Sequence, residues 1–187
     1  MAVVLAIIAI LAGMLTPIVV TYIDQARTTR ALADVKRIGQ AISFFKRDTA
    51  VFPPYDTLAA ARTGSSPKTC LVSGTSAATL PANGTATWTC TTTGLLNQYL
   101  NVNSMGVTTA LGAGGAIAFR GPYLDGLDGL DPWGNPYIVN SGNLTETATN
   151  WAFALSAGPD SNLDTAQNLA KTSVFVTVED DIASLIK

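Results

Sequence analysis

The side chains that could hold a metal ion lie mainly in two acidic groups of this chain. Asp160, Asn162 and Asp164 alternate along a polar stretch and offer hard oxygen ligands. Asp180 and Asp181 follow later and could approach them. Because Asp and Asn side chains also close turns without a metal, a turn is the alternative interpretation.

The second acidic group is formed by Asp125, Asp128 and Asp131, which are separated by Gly-Leu pairs. Aspartates next to glycines are typical of turns, and we expect turns here rather than a metal site. Asp131 in particular is expected to accept hydrogen bonds from the backbone of the Pro-Trp-Gly-Asn turn that follows it.

The two cysteines, Cys70 and Cys90, lie within a Ser/Thr/Ala/Gly-rich stretch. In an exported domain such a pair predicts a disulfide, which would close a loop of about 20 residues and stabilise the fold by about 3 kcal/mol. A metal site or a redox pair is the alternative, but the pair lacks C-x-x-C spacing and any histidine partner.

The chain contains no histidine, the commonest general base and metal ligand. No set of nucleophile, base and orienting residue can be assembled, so an enzyme is not expected and no catalytic residue is assigned. The net charge of −2 gives no basic surface for a nucleic-acid partner.

Residues 1–23 carry no charged side chain. As a helix they would extend about 34 Å, enough to cross a hydrocarbon layer of about 30 Å. A cleavable signal peptide is the alternative, but no basic residue precedes the run, and signal peptides have shorter apolar segments. We therefore expect a membrane anchor.

The helical pattern continues beyond the apolar run, through residues 24–52. Spacings of three and four place five apolar residues on one helical face. These residues are Ala31, Val35, Ile38, Ile42 and Phe45. The sequence thus predicts one continuous helix of about 50 residues, apolar all round in its first half and amphipathic in its second.

Residues 53–187 are expected to form a globular head, with an insertion at about 62–115 that carries the cysteines. Runs rich in aromatic and β-branched residues predict strands. The predicted strands are residues 116–119, 136–140, 151–156 and 173–178, and short helices are predicted at 58–62 and 95–100. The resulting class is α+β, with a long N-terminal helix packed on a small antiparallel sheet.

Two segments carry a resemblance to a known family. The apolar run that ends near Pro17 looks like the N-terminal segment of type IV pilins and of the major pseudopilins of type II secretion. A second segment is similar to a motif of the major pseudopilins, and residues 156–160 match the Ser-x-Gly-x-Asp that follows it. The motif residues are Asp131, Pro132, Trp133, Gly134, Asn135, Pro136 and Tyr137.

The resemblance covers residues 1–53 and 131–164 and implies a pilin-like fold, with calcium in the loop of Asp160, Asn162 and Asp164. Aligning Pro17 with the family's proline leaves the family segment Phe-Thr-Leu-Ile-Glu before Met1. We expect the given chain to begin inside the mature protein; a homologue without the processing signal is the alternative. Leu5 cannot replace the ion pair of the family's glutamate.

Assembly rather than chemistry is the mechanism that the resemblance implies. In a filament the apolar helices would pack against each other, and small residues such as Ala6, Ala9 and Gly13 would allow close approach. Pro17 removes a backbone donor and Gly13 weakens a helix, so we expect residues 10–17 to kink or melt on assembly.

Three functions are therefore considered. The first is a structural subunit of a type IV pilus-like filament, a homo-oligomer held in the bacterial inner membrane until assembly machinery draws it into an extracellular or periplasmic polymer. The second is a major pseudopilin of a type II secretion system. The third is a membrane-anchored extracytoplasmic binding domain, in which Trp88 would contact a ligand unless it packs on the disulfide.

Overall fold

The computed structural model describes residues 2–53, 55, 67–74, 79–102, 118–124 and 129–187, without the side chains of residues 2, 5, 9 and 14–17. Its α-helices are α1 (Ala2–Thr49) and α2 (Leu96–Leu100), and Ser141–Asn143 form a 3-10 turn. The strands are β1 (Cys70–Val72), β2 (Ala82–Asn83), β3 (Thr93–Leu95), β4 (Ile138–Val139), β5 (Phe153–Ser156), β6 (Asn162–Leu163) and β7 (Ile182–Leu185). The predicted α+β class is confirmed.

Helix α1 is a single helix of 48 residues that continues without interruption through Gly13 and Pro17. Its end is well defined. Ala50 adopts a positive φ of 59° and donates its N–H to the carbonyl of Lys46 at 2.7 Å. This left-handed residue closes the last turn, and Pro53 follows shortly after it, where a helix cannot continue. The prediction of one long helix is confirmed.

The predicted apolar stripe of α1 is the part that packs on the head. Each of its five residues is fully buried, from Ala31 to Phe45. The helix lies on β5 and β7, and Phe45 also makes edge-on ring contacts with Phe119 and Tyr123. Because burial of one large apolar side chain stabilises by about 1.5–3 kcal/mol, this stripe fixes the head to the second half of α1.

The main sheet has five strands in the order β3-β1-β4-β5-β7. Strands β1, β4, β5 and β7 pair antiparallel, but β1 and β3 are parallel. The predicted antiparallel sheet is therefore wrong in this detail, and the sheet is mixed. The physical reason is the long connection of residues 73–92, because a crossover of this length allows β3 to return in the direction of β1.

The sheet separates two apolar layers. Val139, Ala152 and Ala154 face α1, whereas Ile138, Phe153 and Leu155 face the opposite side. There they pack under a layer of irregular segments and the short strand β6, which includes Trp88, Leu163 and Phe175. The head thus has three layers: α1, the sheet, and this outer layer.

Several local predictions can be compared with the described residues. Strands β4 and β5 lie within the predicted segments 136–140 and 151–156, and α2 lies within 95–100. Residues 173–178 are not a strand, and the last strand is β7 instead. The predicted helix 58–62 lies outside the described residues, as do residues 116–117, while Ala118 and Phe119 are not in a strand.

Candidate functional site

A tight turn organises the motif that begins at Asp131. The Asp131 Oδ1 atom accepts hydrogen bonds from the backbone N–H groups of Trp133 at 3.0 Å and Asn135 at 2.8 Å. Gly134 adopts the positive φ of 97° that such a turn requires. The backbone bonding predicted for Asp131 is thus observed. The other two aspartates of this predicted group, Asp125 and Asp128, lie outside the described residues.

The second carboxylate oxygen of Asp131 fixes the turn to the sheet. Asp131 Oδ2 accepts a hydrogen bond from the hydroxyl of Ser156, at the end of β5, at 2.6 Å. Asn135 then donates from its amide to the hydroxyl of Ser161 at 2.9 Å. The turn is therefore connected directly to the loop that carries the predicted metal ligands.

Tyr137, the last residue of the motif, connects the turn to α1. Its buried hydroxyl donates to Asp34 Oδ2 at 2.9 Å, and its backbone N–H donates to the hydroxyl of Ser73. Burial, and then the hydrogen bond to Asp34, raise the pKa of Tyr137 far above its ordinary value. The motif thus joins the helix, the sheet and the acidic loop.

Three of the candidate acidic residues come together in space. Single carboxylate oxygens of Asp160, Asp164 and Asp180 all lie within 4.8 Å of one another. Asp164 is buried and Asp160 is exposed. Asn162 donates from its amide nitrogen to Asp160 at 2.9 Å. The expected approach of Asp180 to Asp160 and Asp164 is thus observed.

Neighbouring backbone holds these carboxylates in place. The N–H of Thr85 donates to Asp164 Oδ1 at 2.6 Å, and the N–H of Asp160 donates to Asp180 Oδ2 at 3.2 Å. Gly158 permits this approach, because a Cβ atom there would lie 2.5 Å from the carbonyl oxygen of Asp180. Its φ of 66° also favours glycine.

Two carboxylate oxygens near this group are buried without a hydrogen-bond partner among the described residues. They are Asp180 Oδ1 and Asp181 Oδ1. Asp181 uses its other oxygen to accept from the backbone N–H groups of Asp164 and Thr165, and burial is the main cause that raises its pKa. Buried acceptors without donors are unfavourable, and converging carboxylates repel each other.

These observations fit a calcium ion. Carboxylate oxygens are hard ligands of the kind that calcium prefers, and a cation would offset the repulsion among them. Asp160, Asp164 and Asp180 are the residues that would hold it. The ion would supply charge neutralisation and a cross-link between the loop after β5 and the segment before β7.

The predicted disulfide is present between Cys70 and Cys90, whose Cα atoms are 5.4 Å apart. It joins β1 to the segment that contains Trp88. The Trp88 ring is buried, packs edge-on against Phe153 and donates its indole N–H to the carbonyl of Thr165 at 2.8 Å. Trp88 is thus a core residue and not a surface contact for a ligand.

The first half of α1 carries most of the exposed large apolar side chains among the described residues. Its large side chains are about half exposed or more, from Val3 at 72% to Ile23 at 47%. By length and composition this helix could cross a membrane, although a signal sequence would have the same character. Ala6 and Gly13 are exposed along it, while the side chains of Ala9 and Pro17 lie outside the described part.

No protein-family model, curated protein or solved structure matches this chain. The site is therefore interpreted from its own geometry. Sequence reasoning did not anticipate Asp34 or Thr85, which anchor Tyr137 and Asp164. It named Ser156 only as part of the Ser-x-Gly-x-Asp segment, without its contact to Asp131. The position of Asp34 next to Val35, on the apolar stripe, was the available signal for a buried carboxylate.

Proposed function

We propose that this chain is a structural subunit of a type IV pilus-like filament that assembles through its apolar N-terminal helix. Before assembly the first half of α1 would be held in the bacterial inner membrane. Assembly machinery would then transfer the subunit into an extracellular or periplasmic homopolymer. Membership of the type IV pilin family is part of this proposal, and it is supported by the resemblance of the N-terminal segment and of the motif at residues 131–137.

The division of α1 into two unlike halves is the observation that carries the proposal. From Ala31 onward one face of the helix is covered by its own head, whereas the described side chains of residues 3–22 are all exposed, and Ile23 beside Pro132 is 47% exposed. An uncovered apolar surface of this length needs lipid or other protein around it. A bilayer and a bundle of identical helices are both apolar surroundings, so transfer between them is possible without exposure to water.

A major pseudopilin of a type II secretion system is the second candidate. It is favoured by the motif at residues 131–137 and by the acidic group of Asp160, Asp164 and Asp180, for which the resemblance implies calcium. This candidate differs from the first in the length and location of the polymer, and the subunit would assemble in the same way.

A membrane-anchored binding domain is the third candidate. The burial of Trp88 removes the residue that favoured it. A function as a binding domain would also give the small residues of α1 and its long apolar segment no role beyond anchoring.

Electron microscopy of cells that produce the full chain with its assembly machinery tests the three candidates. Long fibres labelled by an antibody to the head are expected for the pilus subunit. Oligomers in the cell envelope with no labelled fibre outside the cell would favour the pseudopilin. A chain that stays monomeric in the membrane fraction would overturn the proposal of a filament subunit.

A further inference from the structure

Charge is distributed unequally between the helix and the head. Six of the 11 basic residues but only three of the 13 acidic residues lie in α1, which gives the helix a net charge of +3 and the remaining chain −5. Residues 36–48 carry this excess, because two arginines and two aspartates balance between residues 24 and 34. An exposed guanidinium group of that balanced stretch can still attract an exposed carboxylate of another copy.

The basic side of this contact is a groove beside α1. It has a volume of about 300 Å³ and is lined by Ile23, Ala26, Arg27, Arg30 and Pro132. The side chains of Arg27 and Arg30 are 48% and 66% exposed. Arg27 pairs with the exposed Asp24 at 3.8 Å, and such an exposed pair contributes little. Arg30 lies 3.7 Å from the buried Asp34 and keeps most of its own side chain exposed. The groove thus combines an apolar floor with two accessible guanidinium groups.

The complementary surface is a strip at residues 174–179. Val174, Val176 and Val178 are 84%, 60% and 42% exposed, and the exposed acid Glu179 follows them. Phe175 points the other way and packs on Phe153, with ring centroids 5.1 Å apart. The main-chain groups of residues 174–177 make no hydrogen bond to another described residue. This strip presents alternate valines and a carboxylate to the outside.

The two surfaces lie on opposite sides of the head. The groove is beside α1, on one face of the sheet, whereas the strip belongs to the outer layer on the other face. A contact between two different surfaces of identical subunits is heterologous, and repetition of such a contact produces an open helical polymer.

We propose that the strip of one copy docks in the groove of a neighbouring copy, with a valine between Ile23, Ala26 and Pro132, and Glu179 paired with Arg27 or Arg30. This inference rests on the proposed filament function and specifies its contact. The valines supply apolar burial, and the charge pair sets the register of the two copies.

Cysteine cross-linking of full-length chains in assembled filaments tests the contact. The double variant Ala26→Cys/Val176→Cys is oxidised, and a ladder of covalent multimers of the 19.4 kDa chain is expected under non-reducing conditions. The matched control is Thr28→Cys/Val176→Cys, because Thr28 is exposed and lies about 200° around the helix from Ala26. No ladder is expected from the control.

A charge exchange gives an independent measurement. Glu179→Arg alone is expected to lower filament yield about tenfold, since it places like charges together, and Arg27→Glu added to it is expected to restore the yield. Melting of each variant in detergent checks that the head is folded.

The outcomes separate the contact from the function. If the parent chain forms filaments but the Ala26/Val176 pair gives no ladder, the docking proposal is wrong and the filament function stands. A covalent product whose mass is not a multiple of the chain identifies another partner and also overturns the docking proposal. If the parent forms no filaments with its machinery, the function itself fails.

Discussion

Asp34 is a buried carboxylate on the face of α1 that meets the sheet. Tyr137 donates its hydroxyl to it, and the guanidinium groups of Arg30 and Arg37 lie 3.7 Å from its two oxygens. A carboxylate buried in this way is favourable only where its partners are in place. The pair of Asp34 and Tyr137 therefore selects one rotational position of α1 against the head.

Removal of the tyrosine hydroxyl should measure this contribution. Tyr137→Phe leaves Asp34 without its buried donor, and we expect the free energy of unfolding at neutral pH to fall by about 1–3 kcal/mol. Chemical denaturation of the full chain in detergent is the measurement. Tyr22→Phe is the control, because Tyr22 is 67% exposed, and it should leave the stability unchanged. Equal effects of the two variants would contradict this role of the pair.

The parent chain should lose the contribution of Tyr137 at alkaline pH, whereas Tyr137→Phe has no hydroxyl at this position to ionise. Because burial raises the pKa of Tyr137, a tyrosine in the unfolded chain loses its proton first, near its ordinary value of about 10. Stability from this group is thus complete below pH 10 and declines as the pH rises above it. The difference in stability between the parent and Tyr137→Phe should narrow between about pH 10 and 11. A constant difference would exclude ionisation of Tyr137 as the cause.

Calcium should bind where three carboxylates converge. Calorimetric titration of the full chain in detergent is expected to show heat of binding, and saturating calcium should raise the melting temperature. Asp180→Asn should weaken binding, because one charge of the group is lost. Asp24→Asn removes an exposed carboxylate from α1 and is the control. If the parent chain shows neither heat of binding nor a shift in melting temperature, the prediction of calcium binding is wrong.

At the scale of elements, the disulfide holds the connection between the two parallel strands β1 and β3. This connection also supplies Trp88 to the outer layer and Thr85 to the acidic group. The disulfide is therefore expected to stabilise the outer layer and the acidic group as well as the two segments that it joins.

Replacement of both cysteines should loosen that layer. For Cys70→Ala/Cys90→Ala we expect a loss of about 3 kcal/mol, from the greater freedom of the unfolded loop. In a Trp133→Phe/Trp151→Phe background, where Trp88 is the remaining tryptophan, its fluorescence should shift to longer wavelength at temperatures where the matched chain with both cysteines is still folded. Reduction of that matched chain should reproduce both effects, and an unchanged melting temperature would contradict them.

The first half of α1 is helical throughout in the isolated subunit, including Gly13 and Pro17. The expectation that residues 10–17 kink or melt concerns the assembled state and stays a prediction. Its physical reason is the missing N–H of Pro17 and the low helix propensity of Gly13. A map of the filament should show non-helical backbone there, and should show a straighter segment for Pro17→Ala. An unbroken helix in the parent filament would refute it.

At the scale of the whole molecule, the unequal charges predict a response to salt. Between 0.1 and 1 M salt the screening length falls from about 10 Å to about 3 Å, which weakens contacts between charged surfaces. We expect the length of purified filaments to decrease over this range, and the decrease to be smaller for Glu179→Gln. Apolar association alone does not weaken with salt, so constant length would point to the helices as the sole source of cohesion.

The sequence predicted those parts of the fold whose local pattern agrees with their surroundings. The spacing of apolar residues was enough to locate the stripe from Ala31 to Phe45, because the face of a helix that packs on its own head is apolar along its whole length. It failed at residues 173–178, where valines predict a strand but the backbone of residues 174–177 pairs with no other described segment. Strand β7 has low strand propensity in Ala183 and Ser184, and it forms because β5 and α1 provide its partners.

The candidate site was also predicted only in part. Asp160 and Asp164 were recognised because they are close in sequence, and Asp180 was only a possible neighbour. The contact of Asp164 with Thr85 joins residues 79 positions apart, and no local pattern indicates it. Such pairings depend on the path of the chain between β1 and β3, which propensity does not determine.

The position of Pro132 beside α1, close to the end of the uncharged run, has a consequence for the timing of assembly. Pro132 lies beside Ile23, Ala26 and Arg30, and Ile23 is the last residue of the uncharged run. In a subunit still held in a bilayer, this edge of the head would sit within the headgroup layer, which extends about 5–7 Å beyond the hydrocarbon. Lipid headgroups would then occupy the groove. Only a subunit already rising out of the bilayer could accept its neighbour, so premature polymerisation in the membrane plane would be prevented.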